Sequence, residues 1–214
     1  MGSVVPAPSP SRVLDVLWLG AWAVVGIGTY LVMMSFELTP GQGADAPAEW
    51  PGESAIETSE GETLLMLLHP QCSCSHASIA ELARVMAHAP PSTRAVALFV
   101  LLDDSDESWR ESSLWDQATR IDNVSVFADE GGVEAARFGA ATSGQVLAYD
   151  AQGVLRFAGG ITPSRAHEGD STGRAQLLEL LSQWESGGPS NMHESEVFGC
   201  PLEDEAAQPA VASR

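Results

Sequence analysis

The sequence predicts an α/β domain, a central mixed sheet flanked by helices, behind a single N-terminal transmembrane helix. Three observations lead there. A long apolar run opens the chain, short apolar runs alternate with helical periodicity from residue 62 onward, and two cysteines sit at the first strand-to-helix turn. The 29 acidic and 10 basic residues give a formal net charge of −19, which repels phosphate backbones and speaks against nucleic-acid partners.

Residues 13–36, VLDVLWLGAWAVVGIGTYLVMMSF, carry one charge, Asp15, and are long enough to cross a hydrocarbon core of about 30 Å. A cleaved signal peptide is the competing reading, because Ala44 and Ala46 form an A-x-A pattern. The apolar stretch nevertheless far exceeds the roughly 7–15 residues of a signal-peptide core. Arg12 precedes the span, and no Lys or Arg follows it until Arg84. Residues 1–12 are therefore expected in the cytoplasm, and the domain on the periplasmic side of a bacterial inner membrane. Residues 37–61, rich in Pro, Gly, Ala, Glu and Ser, read as a flexible linker.

The folded domain is expected at residues 62–186. Its apolar and turn patterns give a strand at 63–68, a helix at 75–89, a strand at 95–102 and a polar loop at 103–111. A helix at 114–120, a short strand at 124–128 and a helix at 132–138 follow, the last closed by Gly139. Strands 146–149 and 154–158, joined by Asp150-Ala-Gln-Gly153, read as a hairpin, and an amphipathic helix at 174–184 comes last. Residues 187–214 form an acidic tail without other structure, except for the apolar island VFGCPL around Cys200, which is expected to dock on the domain.

The chemistry is concentrated in HPQCSCSHASIAELARVM. A cysteine at a helix N-terminus meets free N–H groups and the positive end of the helix dipole, so its thiolate is favoured. Cys72 and Cys74 are thus candidate redox thiols or metal ligands. His76, four residues after Cys72, shares its helix face if Cys72 lies in the first turn, where it stabilises the thiolate or shuttles its proton; a solvated surface histidine is the other reading. A disulfide between cysteines one residue apart closes a small ring, which makes it easily reduced and favours an oxidising or isomerising role.

This element order, with thiols at the first strand-to-helix turn, resembles the thioredoxin-like superfamily over residues 62–184, most like its membrane-anchored periplasmic members of the TlpA/ResA type. The strings HPQCSCS, DEGGVEAARFGAATSG, GGITPSRAHEGD and VFGCPL are similar to those of RedB-type proteins. The resemblance implies a thiol-disulfide oxidoreductase without a cofactor, in which Cys72 attacks and Cys74 resolves. Its partners are protein thiols and disulfides, together with a membrane or periplasmic electron donor. The chain departs from the pattern twice. Its motif is C-x-C rather than C-x-x-C, and Gly144 stands where the family's cis-proline faces the thiols. Glycine cannot enforce a cis bond, yet it permits close backbone approach, so Thr142, Ser143 and Gly144 remain the expected substrate-binding loop.

Two other chemistries stay open. A peroxiredoxin-like peroxidase uses one activated cysteine at the same turn, but here His69 stands where that family carries Thr or Ser three residues before it. A copper or zinc protein would use Cys72, Cys74 and Cys200 with His69, His76 or His167, a soft sulfur and nitrogen set. Cys200 is accordingly a candidate third thiol, either resolving a Cys72 disulfide or serving as a third ligand. The glycine-rich loop 159–173 lacks phosphate-loop spacing and reads as a cleft wall or a plain connector.

Overall fold

The computed structural model describes residues 10–58, 61–101, 112–188 and 190–202, so the polar loop expected at 103–111 lies outside the described residues. The chain forms two compact units, Met1–Thr39 and Pro40–Arg214. In the first, helix α1 (Pro10–Leu38) is by length and composition apolar enough to cross a membrane, with mean hydropathy 1.8 over Leu14–Leu38. Val16, Trp18, Leu19, Trp22, Val24 and Ile27, which point around the whole helix circumference, are all more than half exposed, so the helix is apolar on every side.

The second unit is built on a sheet of β1 (Thr63–Leu68), β2 (Arg94–Leu101), β3 (Val124–Glu130), β4 (Gln145–Tyr149), β5 (Leu155–Gly160) and β6 (His193–Glu194). The spatial order is β3-β2-β1-β4-β5-β6. β1 pairs parallel with β2 and antiparallel with β4, while β4 and β5 form the expected antiparallel hairpin. Helix α2 (Cys74–Met86) makes the crossover from β1 to β2, and α5 (Thr172–Ser186) follows β5. The stretch α3 (Ser113–Thr119), β3 and α4 (Val133–Arg137) is inserted between the two halves. A β-α-β unit joined to a β-β-α unit around a central first strand is the thioredoxin-like fold.

β1 reads TLLMLL because both of its faces are covered. Successive side chains point to opposite faces, and Leu64, Met66 and Leu68 accordingly join Ile79, Leu82 and Leu177 in one core, under α2 and α5. Leu65 and Leu67 join Ile56, Ala135, Phe138 and Tyr149 in the other. A buried carboxylate ties the helices together: Glu81 of α2 accepts from Arg84, from Arg174 of α5 and from the Gly169 N–H at 2.7 Å.

Two expectations are corrected here. Residues 40–58 are not a flexible linker. Trp50 packs edge-on against Phe138 and Tyr149, at centroid distances of 4.9 and 5.1 Å, and Ile56 is buried. Backbone bonds link Trp50 with Gly153 and Leu155 with Ala48. Ser54 and the Ala55 N–H donate to Glu134. The Pro, Gly and Ser content suggested a chain with nothing to bury, yet one aromatic and one aliphatic side chain suffice to pin it. Nor are residues 190–202 a loose tail around an apolar island: β6 pairs parallel with β5, and Ser195 Oγ donates to the Gly160 carbonyl at 2.8 Å. The Gly159–Gly160 pair permits this, since a Cβ on Gly159 would lie 2.6 Å from the Ser195 carbonyl oxygen.

Trp50→Ala should therefore destabilise the domain by about 2 to 3 kcal/mol in urea unfolding followed by circular dichroism. A change within about 0.5 kcal/mol would return residues 40–58 to the status of a spacer.

Candidate functional site

The first helical turn after β1 carries the thiols. Cys72 precedes α2, whose first residue is Cys74 and whose N-cap, Ser73, makes no side-chain cap. The unpaired N–H groups at this end seek an acceptor, and the Cys72 sulfur takes the Cys74 N–H. The turn is closed by backbone bonds from Cys72 N–H to the His69 carbonyl and from Ser75 N–H to the Cys72 carbonyl.

The third thiol arrives from the far end of the chain. Val197 and Leu202 are buried at 1% exposure and Phe198 at 9%, so the segment between them is held against the domain. Its backbone forms an antiparallel bridge between Pro201 and Thr142, with Ser143 N–H bonded to the Cys200 carbonyl at 2.8 Å and Leu202 N–H to the Ala141 carbonyl at 2.9 Å. Arg165 donates to the Gly199 carbonyl. Gly199 is required: a Cβ there would stand 1.8 Å from the Ser143 carbonyl oxygen. The result is a Cys72–Cys200 Sγ separation of 2.7 Å, and the sulfurs of Cys72, Cys74 and Cys200 all lie within 4.8 Å of one another.

Burial alone would disfavour a charge here. Hydrogen bonds reverse the balance at one sulfur: thiol donation from Cys74 first, then from Cys200, with the N–H groups of both residues, lowers Cys72 from an ordinary 9.0 to about 4. Cys74 moves the other way because it donates its S–H to Cys72 and is desolvated. Cys200 is pushed up to about 11, chiefly by burial, while the Arg165 charge works against the shift. One thiolate and two protonated thiols therefore share the site at neutral pH.

The expected substrate loop lies at this cluster. Ser143 Oγ accepts the His69 N–H at 3.0 Å and meets Ser75 Oγ at 3.2 Å, which fixes the loop to the turn that carries Cys72. Gly144, at φ +89°, donates its N–H to the Leu67 carbonyl at 2.7 Å, and a Cβ there would sit 2.7 Å from Ser78 Oγ. Thr142 Oγ1 donates to the Gln42 carbonyl.

Two histidines stand elsewhere. His76 is exposed and its Nδ1 faces Gln117 at 3.4 Å; because α2 starts at Cys74, the four-residue spacing from Cys72 does not set the two on one helix face. His167 is also exposed, with Nδ1 against the Arg165 carbonyl at 2.7 Å, and the three-sulfur group does not include it. One contributor gave no sequence signal. Ala166, a non-glycine residue at φ +57°, turns its N–H to Cys74, so loop 159–173 does form a wall of the site.

No protein-family model and no curated protein matches the chain. Solved structures do. An uncharacterized conserved protein from Geobacillus kaustophilus aligns with TM-score 0.56 and 18% identity over 80% of this chain and 95% of its own. A hypothetical protein from Sinorhizobium meliloti 1021 gives 0.52 and 16% over 77% and 93%. A secreted Mycobacterium tuberculosis disulfide oxidoreductase homologous to E. coli DsbE aligns more loosely, with TM-score 0.40 and 16% identity over 58% and 82%. The first two likenesses establish the fold.

Reduced protein should keep the ultraviolet absorbance of one thiolate until the pH falls through about 4, where Cys72 takes up a proton. Cys74→Ala removes the main donor and should raise that midpoint by about one pH unit or more. An unmoved midpoint would mean that Cys74 does not set the charge on Cys72.

Proposed function

We propose that the protein is a membrane-anchored, extracytoplasmic thiol-disulfide oxidoreductase of the thioredoxin-like type, akin to RedB-type proteins. The observation that carries this reading is three sulfurs within 4.8 Å of one another at the start of α2, with Cys72 hydrogen-bonded by both of the others so that its thiolate is favoured. A thiolate attacks a disulfide sulfur, and a neighbouring thiol then displaces it from the mixed disulfide. Cys72 supplies the first group. Protein thiols and disulfides are the substrates, Thr142, Ser143 and Gly144 receive them, and a membrane or periplasmic donor exchanges the electrons. No cofactor is needed for these steps.

The all-round apolar surface of α1 supports an anchor in lipid, and Arg12 ahead of it supports an inner-membrane protein whose domain faces the periplasm. Protease added to spheroplasts should digest the domain. A protected intact chain would reject the orientation, and a soluble periplasmic form trimmed at residue 46 would replace the anchor with a signal peptide.

Cys72→Ser should abolish exchange with a fluorogenic glutathione disulfide, whereas exchange at the wild-type rate would remove the reading. A second reading rests on the three sulfurs within 4.8 Å, a soft ligand set for copper or zinc. Stoichiometric metal in anaerobically purified protein, with all three thiols blocked from alkylation, would favour it.

A further inference from the structure

The segment that brings in Cys200 also covers the nucleophile. Cys72 is 3% exposed, and Cys200 Sγ stands against its sulfur at 2.7 Å. An incoming disulfide sulfur has to come within bonding distance of Cys72 Sγ, which the strap's Cys200 Sγ already contacts. Residues 197–202 therefore have to lift before chemistry and can return after it.

Resting on the oxidoreductase reading, we infer that Cys200 rather than Cys74 is the resolving thiol, carried on a strap, residues 197–202, that opens to admit the substrate and closes to release it.

Geometry separates the two candidates. Cys74 is the first residue of α2 and lies two positions from Cys72, so a bond between them closes a ring with a single residue inside it and departs from the relaxed disulfide dihedral. Cys200 comes from an independent segment. It is aimed by the Ser143 and Leu202 backbone bonds, by Arg165 on the Gly199 carbonyl and by the buried Phe198 and Leu202 on either side. Its own exposure is intermediate, unlike that of the two buried thiols. Cys74 is left to donate its S–H to the Cys72 thiolate.

The Cys72 thiolate attacks one sulfur of a substrate disulfide, forming a Cys72–substrate disulfide, and the other substrate sulfur leaves as a thiolate that takes up a proton. The strap returns, Cys200 gives up its proton and attacks Cys72 Sγ, and the second substrate sulfur leaves with that proton. The substrate has gained two electrons as two thiols, and the protein holds a Cys72–Cys200 disulfide. The same steps in reverse oxidise a substrate dithiol.

Reduced full-length protein, given one equivalent of glutathione disulfide, acid-quenched, alkylated and mapped by peptide mass, decides the matter. A Cys72–Cys200 link with Cys74 alkylated is expected. Cys200→Ser should accumulate glutathione on Cys72, and Cys74→Ser should still close the Cys72–Cys200 bond. Phe198→Asp keeps all three thiols but undocks the strap; it should speed alkylation of Cys72 and slow closure by about tenfold or more, as the effective concentration of Cys200 falls. A Cys72–Cys74 link, formed equally fast in Cys200→Ser, would overturn the strap mechanism while sparing the oxidoreductase reading. Absence of any glutathione adduct or disulfide would overturn both.

Discussion

A thiolate under cover is the constraint around which this domain is organised. Taking the Cys72 sulfur out of water penalises its charge, and only directed donors can reverse that. They come from places far apart in sequence: the S–H and N–H of Cys74 at the start of α2, and the S–H and N–H of Cys200 within the strap. Each source has its own support. The turn is fixed by Ser75 and Ser143 on His69, and the strap by the 141–143 backbone and Arg165. Loosening any of these costs the thiolate a donor, so the reactivity of one atom depends on contacts across the whole unit.

The C-x-C spacing acquires a meaning in that setting. With only one residue between them, Cys72 and Cys74 are poorly placed to bond covalently but well placed for one to donate to the other. The thioredoxin-like frame supplies the strand-turn-helix that presents Cys72, and the C-terminal strap adds the third sulfur. Its first attachment is β6, which extends the sheet at β5 and directs the chain back across the face of the loop at 141–143. The acidic surface leaves cations scarce, and the strap uses one of them, Arg165, on a backbone carbonyl.

Much of the fold was legible because the sheet is buried on both sides. Apolar runs such as Thr63–Leu68 and the 3.6-residue periodicity of α2 and α5 arise directly from that burial. Boundaries moved by a few residues, as at α2, which ends at Met86 rather than 89. What composition hid was long-range anchoring. The segment 40–58 looks unstructured residue by residue, and only Tyr149, Phe138 and Glu134, about eighty to a hundred positions away, make Trp50 and Ser54 into anchors. The docking of VFGCPL was readable from its apolar residues, whereas its position beside Cys72 depends on a tertiary path. His76 falls off the Cys72 face because α2 starts at Cys74, two residues later than a shared face requires, and the Ala166 N–H carries no sequence mark at all.

The claim that three sulfurs form one redox centre is tested most directly by equilibrating the full-length protein with glutathione buffers of graded potential and counting alkylated thiols by mass. Expected is one two-electron transition in which two cysteines are lost to alkylation together and a third stays reduced throughout, without metal. No transition at any potential, or a protein whose three thiols are all masked by a bound metal ion, would contradict it.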